Sequence, residues 1–414
     1  MFKHRTLVFL EDPVWIRVSS LSVILLFIFL ADAILSYWVP NFLEYTYNNT
    51  STVGLIMAFS SIAGLSVDLI FPQILKQVTV KKLILFAITA SFIFSGSLLG
   101  STYAPYLLLI LFGMVVWGIY YELLIFAQQQ FVSDSTPLRY HSGVWGIIGV
   151  FRAFAYFLGP IIAGEIVPVE GKYALYLALI FALISFITLS FFHKTHDRVL
   201  SIEVDKVNIF KEFEHWVVLF EHVWPIIIMS IILGIIDATF WSVGAIWNET
   251  LSESHPIGGL FLSSYILPSM FIGFVIARFS IYKGKKKLAE KFMLFSGLLF
   301  AALGLNSGAY WQVSFVFFAS IFLSASYPLL EGVYSDIIAR MGRERKHMIG
   351  LFASTSSVAY IVGPPLAGVI ADFVGEQLTF VVLGISTIII SAVLLIVTPK
   401  KLLLPQEEIQ RWKD

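Results

Sequence analysis

Twelve stretches of mostly apolar residues, each about 20 or more residues long, restrict the fold of this 414-residue chain more than any other feature. A helix of about 20 apolar residues crosses the hydrocarbon core of a bilayer, where only helices and closed barrels satisfy their backbone polar groups. Because 58% of the residues are hydrophobic and only 13% are charged, we expect an all-α, multi-pass membrane protein with twelve transmembrane helices. The predicted helices are 15–39, 51–74, 81–101, 105–131, 142–167, 173–192, 223–247, 257–281, 288–307, 311–337, 348–371 and 377–398.

Charge and motif content exclude several classes of protein. The 27 basic residues are balanced by 27 acidic ones, so the chain lacks the basic surplus of a nucleic-acid binder. There is no cysteine to form a disulfide, a thiolate metal site or a nucleophile. A phosphate-binding loop of the form GxxxxGK[ST] is absent, which argues against ATP-driven transport by this chain alone. We therefore expect no enzyme activity, no cofactor and no metal.

Basic residues are distributed unequally between the two sets of predicted loops. The loops on one side contain clusters such as Lys81–Lys82, Lys285–Lys287 and Arg345–Lys346, whereas Lys172 is the only basic residue in the loops opposite. Because basic loops tend to stay in the cytoplasm, we expect that side to be cytoplasmic, together with both termini. This orientation requires an even number of helices, and we expect the protein to lie in the cytoplasmic (inner) membrane.

Three short motifs recur in the two parts of the chain at nearly one spacing. Their copies are 204, 205 and 202 residues apart. Such a repeat predicts two parallel halves related by an axis along the membrane normal. The paired motifs are AYFLGPIIAG at 155–164 and AYIVGPPLAG at 359–368, Asp32-Ala33 and Asp237-Ala238, and Ser133-Asp134 and Ser335-Asp336.

The repeat predicts a six-helix N-terminal half at 1–193 and a six-helix C-terminal half at 223–414. Residues 194–222 between them are the longest polar stretch of the chain. Apolar residues recur there at helical spacing from Ile209 to Phe220, opposite a charged face. This pattern predicts a cytoplasmic linker with an amphipathic helix at the membrane surface.

With these features the chain resembles the major facilitator superfamily of secondary transporters over essentially its whole length. The Gly159-Pro160 pair resembles the glycine-proline signature of the drug/proton antiporter branch of that family, although it has a twin in Gly363-Pro364. The fourth predicted helix departs from that branch, because it carries Glu122 where an arginine is usual. The resemblance implies alternating access between two six-helix halves.

Conformational or gating residues follow from this resemblance and from the packing role of small residues. Gly64 and Asp68 resemble the start of the family's signature after the second helix, and Gly273 and Arg278 resemble its second copy. Glycine allows helices to approach closely, and proline permits a helix to bend. The expected gating residues are Gly64, Asp68, Gly159, Pro160, Gly363, Pro364, Gly273 and Arg278.

A few charged residues are predicted to lie within the membrane, where a charge costs about 3 kcal/mol. Such residues usually face a cavity and belong to a functional site. They are Asp32, Glu122, Arg152, Asp237 and Glu331.

The first four of these charged residues are the expected proton-coupling groups. Asp32 and Asp237 occupy equivalent positions of the repeat, and burial of such a carboxylate favours proton binding. Glu122 and Arg152 lie at similar predicted depths in neighbouring helices, which predicts an ion pair. This pair is either a static pair that offsets the cost of burial or a switch that opens when Glu122 is protonated.

We expect an acidic cavity lined by polar and aromatic side chains, which favours cations through charge and cation–π contacts. The function favoured is proton-coupled efflux of amphipathic or cationic compounds by alternating access. Proton-coupled uptake of a small nutrient (a sugar, peptide or organic anion) and a non-transporting scaffold or sensor are the alternatives. The expected partners are the lipid bilayer, a small-molecule substrate and protons, without nucleic acid, and we expect a monomer. The expected substrate contacts are Ser36, Trp38, Tyr121, Trp241 and Glu331.

Overall fold

The computed structural model describes residues 13–47, 50–74, 78–103, 106–166, 172–191, 208–279 and 281–398. In these segments the regular structure consists of helices. The α-helices are α1 (Pro13–Tyr47), α2 (Thr50–Ile74), α3 (Val80–Tyr103), α4 (Leu107–Ser135), α5 (His141–Ile166), α6 (Lys172–Ser190), α7 (Ile209–Trp241), α8 (Val243–Ser254), α9 (Phe261–Ile266), α10 (Ser269–Phe279), α11 (Lys285–Ala301), α12 (Ala309–Ile338), α13 (Arg345–Val374) and α14 (Glu376–Val397). Short 3-10 turns occur at Leu138–Tyr140, Pro256–Leu260, Ala302–Leu305 and Gly342–Glu344.

Eleven segments of the described chain are long and apolar enough to cross a membrane, judged by length and composition. Where the sequence predicts the second span, α2 contributes the shorter apolar stretch Phe59–Phe71. Because helices satisfy their own backbone hydrogen bonds, long apolar helices are the form that such a sequence adopts in lipid. The chain is an all-α, multi-pass integral membrane protein.

The amphipathic stretch predicted as a separate surface helix within 194–222 is instead the first part of α7. Asn208 caps this helix, because its Oδ1 atom accepts hydrogen bonds from the backbone nitrogens of Phe210 (3.1 Å) and Lys211 (3.2 Å). From there α7 continues through Pro225 to Trp241 without interruption. The stretch is thus helical, and it is continuous with the apolar span because no residue between the cap and that span breaks the helix. Residues 194–207 lie outside the described segments.

The span predicted at 257–281 is divided into three pieces. A 3-10 turn, Pro256–Leu260, leads into the short helix α9, and α10 begins only at Ser269. Proline lacks the backbone N–H that a continuous helix needs, and Pro268 lies at the junction between the two α-helices. The segment Pro256–Phe279 as a whole is still long and apolar enough to span a membrane.

Packing divides the described residues into two compact units. The first consists of residues within 1–67, 77–137 and 147–202, and the second of residues within 68–76, 138–146 and 203–414. In the first unit α3 packs along α4 and α6, and in the second α11 packs along α12 and α14. The same pattern of helix packing therefore occurs inside each of the two units.

Close backbone contacts hold neighbouring helices together at glycines. A Cβ atom added to Gly118 on α4 would overlap the carbonyl oxygen of Ser60 and would lie 3.0 Å from the backbone nitrogen of Gly64, both on α2. Gly149 on α5 has open space in the same position. Small residues permit such close approach in membrane helices, where packing rather than a hydrophobic driving force holds helices together.

Gly118→Ala is expected to destabilise the protein by about 1–3 kcal/mol, because the added methyl group forces α4 away from α2. Gly149→Ala is the matched control and is expected to leave stability unchanged or to raise it slightly. Thermal unfolding in detergent, followed by tryptophan fluorescence, measures both. Equal unfolding temperatures for the two variants would contradict the close packing at Gly118.

Candidate functional site

Asp32 lies near the middle of α1, and its side chain is only 2% exposed. Trp117 Nε1 donates a hydrogen bond to Oδ1 (2.7 Å), and the Tyr121 hydroxyl donates to Oδ2 (2.9 Å). The Tyr156 hydroxyl also donates to Oδ2. An ionised carboxylate only accepts hydrogen bonds, so these three donors suit the charged form and offset the cost of burying it.

The helices position these donors through regular spacing and one close contact. Trp117 and Tyr121 are four residues apart on α4, so they share one face. Tyr156 is three residues before Gly159 on α5, and a Cβ atom added to Gly159 would overlap the Cβ atom of Ala33. The backbone of α5 therefore approaches α1 directly beside Asp32, which brings the Tyr156 hydroxyl to the carboxylate.

Arg152 lies one helical turn before Tyr156 on α5. Its Nη2 atom donates to Gln128 Oε1 (2.8 Å), and its guanidinium carbon is 5.2 Å from the centre of the Phe29 ring. Phe29 is three residues before Asp32 on α1, and the positive charge of Arg152 acts on Asp32 electrostatically. Arg152 is therefore the nearby basic group that balances the buried carboxylate.

The sequence predicts an ion pair between Glu122 and Arg152, whereas the hydrogen bond that the structure describes for Arg152 is to Gln128. Arg152 contacts Gln128, which follows Glu122 by six residues, or about 9 Å along α4. Counting residues from the predicted helix ends did not predict this hydrogen bond. Glu122 itself is buried on α4, directly after Tyr121.

Asp237 forms a second site of the same design on α7. The Tyr265 hydroxyl donates to its Oδ1 atom (2.6 Å), and the Tyr360 hydroxyl on α13 donates to Oδ2. Three residues after Tyr360, a Cβ atom added to Gly363 would lie 2.9 Å from the Cβ atom of Ala238. An aspartate, a tyrosine hydroxyl and a glycine–alanine contact therefore recur in both units.

The two sites differ in exposure. Asp32 is almost fully buried, whereas Asp237 is half-buried and the Tyr360 side chain is 38% exposed. Tyr327 approaches the second site from α12, where its hydroxyl donates to the carbonyl of Leu233 (2.9 Å). The site in the first unit is thus closed by donors, and the site in the second unit is the more accessible of the two.

The predicted substrate contacts lie in different surroundings. Ser36, one turn after Asp32, interacts with the Tyr121 hydroxyl, so these two residues do join the first site. Trp38 is buried and stacks on the Phe42 ring, with centres 4.6 Å apart. Trp241 is 40% exposed at the end of α7. Glu331 lies half-buried on α12, one turn beyond Tyr327.

The predicted gating residues fall into two groups. Gly64, Gly159 and Gly363 lie at the helix contacts described above, and Gly273 lies at another, since a Cβ atom added to Gly146 would be 2.5 Å from its carbonyl oxygen. The other members lie at more varied positions. Asp68 is buried and accepts a hydrogen bond from Ser357 (3.5 Å). Arg278 is exposed, and Pro364 is half-buried within α13. The Pro160 side chain lies outside what the structure describes.

Several residues of the two sites were not predicted to contact the aspartates. Tyr156 and Tyr360 belong to the repeated motif, and they recur at 204 residues just as the aspartates recur at 205. This shared offset was the signal that could have identified them. Trp117 and Tyr265 have no counterpart in a repeated motif, so only the structure reveals their role.

A third polar cluster lies in the second unit and was also not predicted. Asp336 on α12 contacts Lys285 Nζ (2.8 Å) and His141 Nδ1 (2.8 Å). Beside it, Trp145 Nε1 donates to the Ser335 hydroxyl (2.7 Å). This cluster attaches the first turn of α5 to α11 and α12.

The fold and the two hydrogen-bonded aspartates define a class of protein. A multi-pass helical membrane protein with an internal repeat and ionisable groups within its helices has the features of a secondary transporter. The family model of the Major Facilitator Superfamily matches residues 21–307 and 259–413. The chain belongs to this family, whose members are transporters and not enzymes.

Individual relatives are distant. The chain is 21% identical over 344 residues to "Multidrug resistance protein 2" of Bacillus subtilis (strain 168). The aligned region covers 81% of this chain and 83% of the relative. The solved structures that share the fold include two other transporters. The human organic anion transporter TETRAN has a TM-score of 0.73 at 14% identity and covers 93% of this chain and 100% of its own. The E. coli fucose:proton symporter FucP has a TM-score of 0.71 at 13% identity, and the match covers 92% of this chain and 99% of FucP.

Tyr156→Phe is expected to destabilise the protein by about 1.5–3 kcal/mol, because it removes one hydrogen bond to a buried charged group. Tyr360→Phe is expected to have a smaller effect, since its site is more exposed to solvent screening. Tyr310→Phe, on an exposed ring, is the matched control. The unfolding temperatures of the three variants, measured in detergent, give their relative stabilities. Equal unfolding temperatures for Tyr156→Phe and Tyr310→Phe would contradict the stabilising hydrogen bond from Tyr156 to Asp32.

Proposed function

We propose that this protein is a proton-coupled secondary transporter that exports amphipathic or cationic small molecules. The observation that carries the proposal is the closed site around Asp32. In a family of transporters, a carboxylate with three hydrogen-bond donors and a nearby arginine is a group whose protonation state can alter helix packing.

The proposal includes the twelve-helix layout expected from the sequence. We propose six helices in each half, at 1–193 and 223–414, in a monomer whose termini are both cytoplasmic in the inner membrane. Eleven apolar segments and the stretch Phe59–Phe71 supply enough helices for this layout. Substrate and protons then reach the site alternately from the two sides of the membrane.

Asp32 is the proposed proton carrier. Protonation removes the negative charge and turns one acceptor oxygen into a hydroxyl donor, so the hydrogen bonds from Trp117, Tyr121 and Tyr156 lose their charge assistance and become weaker. Tyr121 can turn toward Ser36, whose side chain it also reaches. Each hydrogen bond to a charged group contributes about 1.5–3 kcal/mol. The proton therefore weakens the attachment of α1 to α4 and α5.

Arg152 and Glu122 are the further proposed proton-coupling groups. When Asp32 is neutral, the positive charge of Arg152 is no longer balanced by it. A difference of about 1.4 kcal/mol between two conformations changes their ratio tenfold. The weakened hydrogen bonds and the altered charge are therefore large enough to bias an alternating-access equilibrium. Glu122 is the second candidate for the proton.

Asp237 is the proposed contact for a cationic substrate. It is the more accessible aspartate, and Tyr265, Tyr327, Tyr360 and Trp241 surround it with aromatic faces. Carboxylates and aromatic rings favour organic cations. The multidrug name of the Bacillus relative supports export. The names of the two structural neighbours keep proton-coupled uptake of a sugar, or transport of an organic anion, as the alternatives.

The glycine contacts are the proposed points about which helices move. Gly159 against Ala33 and Gly363 against Ala238 let α5 and α13 approach the aspartate-bearing helices. Such contacts between small residues permit sliding or tilting without a change of rotamer. We propose that Pro160 and Pro364, which follow these glycines directly, allow the local bend that this motion needs.

Asp32→Asn is expected to abolish pH-gradient-driven movement of a fluorescent lipophilic cation in proteoliposomes. The same variant is expected to keep substrate exchange without a gradient, because exchange needs no proton. Glu221→Gln, on an exposed carboxylate of α7, is the control and is expected to transport like the wild type.

Glu122→Gln identifies which carboxylate carries the proton. Loss of gradient-driven transport in Glu122→Gln but not in Asp32→Asn would contradict the assignment to Asp32. Failure of correctly folded wild-type protein to move the cation would contradict drug export. Sugars, peptides and organic anions would then be tested, and their failure would favour a non-transporting scaffold.

Asp237→Asn is expected to raise the KM for the lipophilic cation about tenfold or more, because a charge contact in the binding site is lost. Its maximal gradient-driven rate is expected to fall less than that of Asp32→Asn. Initial transport rates over a range of substrate concentrations separate the two effects. An unchanged KM would contradict the proposed cation contact.

A further inference from the structure

A buried cluster of histidine and glutamate side chains lies at the polar end of α7, which carries Asp237 near its other end. Glu212 and His215 are three residues apart on α7, so they share one face. His347 lies in the first turn of α13, and Glu344 lies in the 3-10 turn before it. The side chains of Glu212, His215 and His347 are all buried.

The ligand atoms of this cluster converge. His347 Nδ1 is 2.7 Å from Glu212 Oε2, and His215 Nδ1 is 4.0 Å from the same oxygen. One ligand atom from each of Glu212, His215 and His347 lies within 4.8 Å of the others. In a tetrahedral zinc site with bonds of about 2.1 Å, ligand atoms are about 3.4 Å apart. Small side-chain shifts therefore convert this arrangement into a three-ligand site.

Two neighbouring side chains hold the ligands in place through polar contacts, as such groups do in known metal sites. The other nitrogen of His347, Nε2, is 3.0 Å from Glu344 Oε2. The other oxygen of Glu212, Oε1, accepts a hydrogen bond from Trp216 Nε1 (3.0 Å). A carboxylate on the distal nitrogen of a ligating histidine fixes its ring and raises its basicity.

A divalent cation can take the place of a proton in this cluster. The two glutamates are negative, and Arg345 and Lys346, also buried in the first turn of α13, supply positive charge nearby. Without a metal, His347 needs a proton on each ring nitrogen to donate to both glutamates. A metal on Nδ1 releases one of these protons to solvent and supplies a larger positive charge.

We propose that Glu212, His215 and His347 form a binding site for Zn²⁺, with Glu344 as the positioning residue for His347 and water as the fourth ligand. Two nitrogen ligands and one oxygen ligand match zinc, whereas Mg²⁺ and Ca²⁺ require oxygen ligands. The bound ion joins the polar end of α7 to the start of α13 and stabilises the contact between them.

Zinc binding is tested on full-length protein purified in detergent with a tag that contains no histidine. The protein is treated with a chelator, desalted and titrated with Zn²⁺ by calorimetry. His215→Gln is the test variant, because His215 lies outside the bridge that His347 forms between the two glutamates. His222→Gln is the matched control on the same helix, where Nδ1 contacts the carbonyl oxygen of Val218 (2.9 Å).

The wild type and His222→Gln are expected to bind one Zn²⁺ and to unfold at a higher temperature with zinc than without it. His215→Gln is expected to bind at least about tenfold more weakly and to lose most of the thermal shift. Mg²⁺ and Ca²⁺ are expected to produce no shift. Equal zinc affinity in the wild type and His215→Gln, or no binding by folded wild type, would overturn the proposal.

A second measurement applies if His215→Gln does not fold. Co²⁺ in place of Zn²⁺ gives strong visible absorption in a tetrahedral site of mixed nitrogen and oxygen ligands, and weak absorption in an octahedral hydrated one. We expect a stoichiometric tetrahedral spectrum that one equivalent of Zn²⁺ removes. An octahedral spectrum would indicate an adventitious surface ion and would overturn the proposal.

Discussion

The contact between Gly159 on α5 and Ala33 on α1 determines how the buried Asp32 is held. A carboxylate within lipid-spanning helices is stable only where donors reach it. A larger side chain at Gly159 would separate the two helices and move the Tyr156 hydroxyl away from the carboxylate. The second unit uses the same arrangement, with Gly363 against Ala238 and Tyr360 on Asp237. Close backbone packing and the charge chemistry of the site therefore depend on one another.

The sequence was sufficient to predict features that depend on local composition. Apolar length predicted the helical membrane protein, and the repeat identified both aspartates and the glycines beside them. It was not sufficient where a partner lies on another helix. Residue counting paired Arg152 with Glu122 but did not predict its hydrogen bond to Gln128, because depth depends on where each helix really begins and how it tilts. Likewise, Tyr156 was visible in the repeated motif, but its role depends on which helix lies opposite.

The two copies of the site differ in a way that suits different tasks. A proton carrier needs hydrogen-bond donors that stabilise its charged form and surroundings that exclude other ions. Asp32 has both features, because it accepts three hydrogen bonds and is buried. A contact for an organic substrate needs access and aromatic surface, as at the half-buried Asp237. Unequal burial of the two aspartates is the difference on which their separate proposed functions rest.

The chemistry of the neighbouring groups also separates the aspartate sites from the cluster at Glu212. Trp117, Tyr121 and Tyr156 present N–H and O–H donors to Asp32, so a cation at that carboxylate would face hydrogen atoms instead of lone pairs. His215 and His347 instead present imidazole nitrogens, which can be lone-pair donors to a metal. Two buried carboxylate sites in one chain are therefore suited to different ions. In the proposed function the donors around Asp32 respond to a proton, while in the proposed zinc site the imidazoles at Glu212 complete a coordination shell.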